Sequence, residues 1–153
     1  MNQTPDLAIE RLMSADVGPM RELLAVFADA FDEHETYLGA VPESAYLGRL
    51  LAKPHFIALV ARRGGAVIGG AVAYELEKFE QQRSEVYIYD LAVALPHRRQ
   101  GVATALIEAV RRIAKEQGAY VVIIQADSGD TPAVTLYGKL GVREDVHHFD
   151  IPV

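Results

Sequence analysis

Two stretches carry residue types that do chemistry. The first is "HRRQGVATAL", residues 97–106. Here Arg98 and Arg99 run into Gln100 and Gly101 and then into an apolar set at helical spacing. The opening turn of a helix has free backbone N–H groups and a partial positive charge, so it holds anions. Gly101 lets a ligand approach the backbone, and the small Ala103 keeps that path clear. The arginines add charged donors, and a phosphate is the anion that fits them. A solvated helix start is the other reading of the same residues. The second stretch is "YIYDLAV", residues 87–93, where Asp90 interrupts an apolar strand. A carboxylate inside a strand is costly unless it is paired or solvated. It therefore marks either a cleft or a strand edge with local hydrogen bonds.

Other chemistries find no residues. The chain lacks cysteine, which removes disulfides, thiolate metal sites and a thiol nucleophile. It contains neither GxxxxGK[ST] nor a strand followed by GxGxxG, and "GGAVIGG" reads as a strand with glycines. His147 and His148 are adjacent on an expected strand and point to opposite faces, and "DEHETYL" is not HExxH. No metal is expected. A formal charge of -6 over 153 residues argues against nucleic acid and leaves open a cationic small-molecule partner. The remaining acids, Glu35, Glu80, Asp127, Asp130 and Asp150 among them, read singly as surface charges and together as an acidic cleft for a polycation.

These residues need elements to position them. Residues 7–12 alternate weakly as a first strand. Residues 17–31 carry Met20, Leu23, Leu24, Phe27 and Phe31 on one helical face, and residues 43–52 form a second helix. An acidic loop, residues 32–42, lies between them. "HFIALVAR" and "AVIGGAVAYEL" join through Arg63-Gly64-Gly65 as a hairpin. Residues 84–95 form a third long strand and Gly101 to Gln117 a helix closed by Gly118. "AYVVIIQAD" is a buried strand. Thr131 then reads as an N-cap with Pro132 at the first helical position, and that helix runs to Leu140. "VHHFDIPV" reads as a last strand. The order is β-α-α-β-β-β-α-β-α-β, an α/β chain with an antiparallel middle, expected as one domain over 1–153. No membrane span appears, and the N-terminus lacks a signal-peptide pattern, so a cytoplasmic protein is expected.

The strand, loop and helix around Arg98-Arg99-Gln100-Gly101-Val102-Ala103 resemble the GNAT superfamily of acyl-coenzyme A transferases, whose shared pattern is Gln/Arg-x-x-Gly-x-Gly/Ala. The element order matches as well. The resemblance implies an acyl-CoA N-acyltransferase fold, with a mixed, mostly antiparallel central sheet and flanking helices. It implies that backbone amides of Arg98 to Thr104 hold the coenzyme A pyrophosphate. Leu91, Ala92 and Val93 are expected to pair with the pantetheine arm, beside a splay that admits the thioester. It gives Asp90 the role of general base or ammonium-orienting group. It also makes Tyr137, which its spacing alone reads as a packed aromatic, the general acid for the leaving thiolate.

A narrower resemblance runs from about Met20 to Ile151. "KFEQQRSEVYIYDLAV", "GAYVVIIQADSGDTPAVTLYGKLGVREDV" and "HFDI" are similar to the type I aminoglycoside 3-N-acetyltransferases. The resemblance implies acetyl transfer from acetyl-CoA to the 3-amino group of deoxystreptamine antibiotics such as gentamicin. It makes Asp90 and Asp130 the leading contacts to the amine and implies a homodimer. Two alternatives stand beside it: acetylation of a polyamine or of a protein or peptide amine, and an acyl-CoA-binding sensor without turnover.

Overall fold

The computed structural model describes residues 6–153. The reading of the first residues as free of a leader therefore falls partly outside the described part.

Five strands form one sheet in the order β1-β2-β3-β4-β5: Leu7–Arg11, Phe56–Arg63, Ala66–Glu77, Ser84–Val93 and Ala119–Ile124. The first four pair antiparallel and β5 runs parallel to β4. The mixed, mostly antiparallel α/β sheet is thus as expected. Helices α1 (Val17–Phe31), α2 (His34–Leu38) and α3 (Ser44–Leu51) lie between β1 and β2. Helix α4 (Val102–Glu116) follows β4, and α5 (Thr131–Leu140) follows β5.

Strand β2 is the centre of the core. Phe56 through Ala61 are all buried, because helices cover both faces of the sheet. One face packs Leu59, Ile88 and Val86 against Val102, Leu106 and Val110 of α4. The other packs Ala58, Val60 and Val72 against Leu23 and Phe27 of α1. Each such Leu, Val or Phe removed from water contributes roughly 1.5–3 kcal/mol. Helix α4 is amphipathic for this reason: Leu106, Ala109 and Val110 are buried while Arg111, Arg112 and Lys115 are exposed. Gly70 lets α1 lie directly on β3. A Cβ there would collide with the Leu23 side chain and the Leu59 carbonyl.

Four expectations need correction. The acidic loop contains a helix, α2, held by side chains the loop reading ignored. Asp32 takes a left-handed φ of 54° and turns the chain after α1. The Tyr37 ring then packs on Phe27 and Phe31, each at 5.8 Å between centroids. His34 also binds Asp29 of α1 at 2.8 Å. Second, the N-cap of α5 is Asp130, whose Oδ1 accepts from the Ala133 N–H at 3.2 Å. Thr131 is already helical, with Pro132 next to it near the helix start. Third, "VHHFDIPV" is not a strand, because residues 142–153 find no strand to pair with. Strand β5 also ends at Ile124, earlier than the apolar run suggested.

Candidate active site

The site is built where β4 leaves the sheet. Strand β4 pairs with β5 only as far as Ile88, opposite Ile124. Beyond that point Tyr89 to Val93 pair with β3 alone, and their other edge is open. This is the splay the resemblance implied, and Leu91, Ala92 and Val93 lie along it.

A β-bulge sits at the same place. Val72 pairs with Asp90 and Ala73 with Ile88, so Tyr89 is an extra residue on β4. The bulge shifts the side-chain alternation by one position. Before it, Val86 and Ile88 face α4; after it, Leu91 and Val93 do. Asp90 therefore shares a face with Ala92 and points toward α1 and α2.

There Asp90 lines a cavity of about 200 Å³ with Phe27, Tyr37, Phe56, Tyr74 and Tyr89. Pro42 and Tyr46 are shared with a wider depression lined by Ala40, Glu43 and Arg49. The aromatic rings form a chain, with Tyr74–Tyr89 at 6.1 Å and Phe56–Tyr74 at 5.3 Å between centroids. The Tyr37 hydroxyl donates to Asp90 Oδ2 at 2.9 Å. Burial raises the Asp90 pKa above the usual carboxylate value, the Tyr37 bond lowers it, and the nearby Glu33 charge raises it. Burial and the bond to Asp90 push the Tyr37 phenol well up. A carboxylate walled by aromatic faces is a good receptor for an ammonium group. Its raised pKa also suits it to accept a proton.

The loop beyond β4 forms an amide cradle. The backbone N–H groups of residues 99–104 have no acceptor among the described residues. Arg99 (φ 60°) and Gly101 (φ 80°) are both left-handed, a geometry that turns successive amides inward around an anion. A Cβ on Gly101 would meet nothing within 4 Å, so the space above the amides is open. Side chains brace this loop from below. Arg98 Nε donates to the Val93 carbonyl at 2.9 Å. Gln100 Nε2 donates to the Pro96 carbonyl at 3.1 Å, and Gln100 Oε1 accepts from Arg63. Val102 is buried in the core while Ala103 and Thr104 are half-buried.

Tyr137 lies elsewhere. It packs half-buried against the α4 side of the core, and no hydrogen bond joins it to Asp90. Burial raises its pKa, with a further rise from the Asp130 charge. The acids are not gathered. Glu35 is exposed on the helix that carries Tyr37. Glu80 pairs with Lys78 at 3.4 Å, Asp150 with His148 at 3.0 Å, and Asp130 caps α5. None of Glu80, Asp127, Asp130 and Asp150 lines the cavity.

Sequence reasoning missed Tyr37, Arg63 and the aromatic wall. Tyr37 is 53 positions from Asp90 and looked like part of a loop. The shift of apolar parity from Val86 and Ile88 to Leu91 and Val93 was the available signal for the bulge. Among the described residues no group of three or more His, Asp or Glu is placed to hold a metal.

The five-stranded mixed sheet, with β4 parting from β5 ahead of the mouth of α4, is the fold of the GNAT N-acetyltransferases. Residues 20–142 match the acetyltransferase (GNAT) family, and the chain belongs to it.

Solved structures give nearer relatives. An aminoglycoside acetyltransferase from an uncultured soil metagenomic sample is 54% identical, with a TM-score of 0.95 over 97% of this chain and 99% of that one. A second such enzyme, solved in complex with sisomicin, is 32% identical, with a TM-score of 0.89 over 96% of each chain. Among curated proteins, N-acetyltransferase family 8 member 2 of Rattus norvegicus is 31% identical over 90 residues. That match covers 59% of this chain and 40% of the rat protein. No helix among the described residues is long and apolar enough to cross a membrane.

Proposed function

We propose that the protein acetylates an amine of deoxystreptamine aminoglycosides, at the 3-amino group, using acetyl-CoA as donor. The observation that carries the reading is Asp90. The bulge turns it into an aromatic-walled cavity, on the open-edged part of β4 that leads to the amide cradle. Similarity to aminoglycoside acetyltransferases, one of them holding sisomicin, supports the choice of acceptor.

The residues present fit the donor. The amides of Arg99 to Thr104 would hold the pyrophosphate, with Arg98 and Gln100 keeping the loop in shape. The open edge at Leu91, Ala92 and Val93 offers peptide groups to the pantetheine amides. When bound, acetyl-CoA supplies an acetyl group activated as a thioester.

The chain's own groups handle the acceptor. An amine arrives as an ammonium ion and attacks only after losing a proton. Asp90 Oδ2 is held by Tyr37, which leaves Oδ1 to take that proton, directly or through water. Tyr137 keeps its hydroxyl proton through neutral pH, because burial raises its pKa. It is the donor this chain offers to a leaving sulfur. Glu33 and Glu35, beside Tyr37, add negative field for a polycation, which salt should weaken.

The test is an acceptor panel of gentamicin, sisomicin, a polyamine and an N-terminal peptide. Thiol release and mass fragmentation of each product report rate and position. A 3-N-acetylated aminoglycoside with the highest kcat/KM is expected. A polyamine or peptide with the higher kcat/KM would reassign the acceptor. Coenzyme binding without turnover on any amine would make the protein a sensor.

A further inference from the structure

Strand β2 ends in two arginines that leave it on opposite faces, as strand alternation requires. Arg62 turns to the α1 side and is neutralised there. Its Nε meets Glu10 at 3.0 Å and its Nη1 lies 3.8 Å from Glu22. Arg63 continues the face of Leu59 and Ala61, toward α4 and the loop before it. Its Nη1 donates to Gln100 Oε1 and lies 3.4 Å from His97 Nδ1. Its Nε is buried without a partner, so Nη1 carries its contacts. Both contacts are to uncharged acceptors, and no carboxylate among the described residues pairs with Arg63.

The loop that Arg63 reaches is strained. Arg99 sits at φ 60°, in the left-handed region that a residue with a Cβ avoids, and Gly101 follows at φ 80°. Such a conformation persists only where its surroundings hold it. Two of the side-chain braces are local. Arg98 Nε reaches back five residues to the Val93 carbonyl, and Gln100 Nε2 four residues to the Pro96 carbonyl. Arg63 is 37 positions from Gln100, on the sheet. Among the described residues it alone ties side chains of residues 97–101 to another element. The Gln100 amide is thereby gripped at both ends, its nitrogen by Pro96 and its oxygen by Arg63, across the strained Arg99. This lock has a condition. A guanidinium only donates, so His97 must present a lone pair at Nδ1, and an imidazolium has none to present. The charged groups around His97 are Arg98 and Arg99 beside it in the chain and Arg63 from β2, and no acid pairs with any of the four among the described residues. A proton on His97 would set a fourth cation against Arg63.

We infer that Arg63 is a positioning residue for the coenzyme: it fixes Gln100 to the sheet, so holding the amides of residues 99–104 in anion-binding shape before the ligand arrives, and it does so only while His97 is neutral. The inference rests on the coenzyme reading of that loop. Without the lock, the loop is ordered at the moment of binding, and the ordering cost is subtracted from the affinity. The His97 condition makes the affinity depend on pH. Histidine is the side chain that changes charge between about pH 5 and 8, so coenzyme affinity falls on the acid side of that interval. Charge alone predicts the reverse, because a protonated His97 adds a positive charge close to a bound anion. The sign of the pH effect therefore separates a lock from a simple basic patch.

The experiment is titration calorimetry of the full-length protein with coenzyme A, with circular dichroism to check that each variant is folded. Arg63→Met should bind about tenfold more weakly than the parent. Arg63→Lys should recover most of that loss, because one nitrogen, Nη1, makes both contacts and an ammonium can stand in for it. Gln100→Leu should weaken binding alike, and adding Arg63→Met to it should weaken binding no further, since the arginine acts through the glutamine. The last arm compares the parent with His97→Asn, whose Oδ1 accepts without titrating, at about pH 8 and about pH 5.5. The parent should lose at least about threefold more affinity in acid than the variant. Protonation of the ligand's own phosphates is common to both and cancels. Unchanged affinity in Arg63→Met, no recovery with lysine, additive losses in the double variant, or a parent that loses no more affinity in acid than His97→Asn would each overturn the inference. A parent that binds no coenzyme A would remove the coenzyme reading of the loop, and the inference with it.

Discussion

Replacing Tyr37 with phenylalanine removes one hydroxyl and leaves the ring that packs between Phe27 and Phe31. The hydroxyl's partner is Asp90 Oδ2, at 2.9 Å. A hydrogen bond to a charged group contributes about 1.5–3 kcal/mol net. Asp90 is only half-buried, so water replaces part of the lost bond, and the lower end of that range applies. The Asp90 pKa moves upward, because the bond favours the ionised carboxylate and opposes the burial that disfavours it. If Asp90 must be ionised to accept the ammonium proton, activity is lost as pH falls through its pKa. Tyr37→Phe should therefore move the acid limb of kcat/KM to higher pH, cut the rate on that limb by about tenfold, and leave the high-pH plateau nearly unchanged. Thiol release measured across pH with one aminoglycoside reads this directly. Carboxyl ¹³C shifts of Asp90 read it without turnover. Superimposed profiles for the two proteins, or a downward shift, would refute the reasoning.

Two further outcomes follow from the same site. Asp90→Asn should lower kcat by about 10²–10⁴, the range for a lost general base, yet raise Tm at neutral pH. Folding raises the Asp90 pKa, so the stability this group contributes below its unfolded value is lost as pH rises through its folded value. The Tm gap between variant and parent should close in acid, and a Tm that falls at neutral pH would count against a strained carboxylate. Gly101→Val forces a branched side chain into a left-handed position, at a cost of at least about 1–2 kcal/mol, and sets methyl groups beside the cradle amides. Titration calorimetry should show coenzyme affinity down by about tenfold or more. Arg99→Ala, which removes a side chain without a hydrogen-bond partner among the described residues, should change affinity far less. Equal losses would move the site from the amides to the arginine charge.

The parts of this protein that could be read in advance are those whose signal is contiguous. Helix α4 follows from the spacing of Val102, Leu106 and Val110, and the hairpin of β2 and β3 from its glycine turn. The loop from Arg98 to Ala103 was legible because the residues that build it are neighbours in the chain. Asp90 was legible as an anomaly, since a carboxylate stands out in an apolar strand. Its surroundings were not. Tyr37 reaches it from a helix that five residues form only because Phe27 and Phe31 offer a surface to pack on. The acids that looked collective are dispersed: Glu80 and Asp150 pair with basic neighbours close in sequence, and Asp130 caps α5.

What the sequence determined by itself is the set of elements with strong local periodicity and the amide loop, because helices and tight turns are closed by near-neighbour contacts. Only the tertiary structure decided which way Asp90 points. One extra residue, Tyr89, against Val72 and Ala73 of β3 turns the carboxylate from the α4 face to the aromatic cavity. A register is a property of two strands together, and neither strand specifies it alone. The tail shows the same limit from the other side. "VHHFDIPV" has the alternation of a strand, but a strand exists only where another backbone takes its hydrogen bonds.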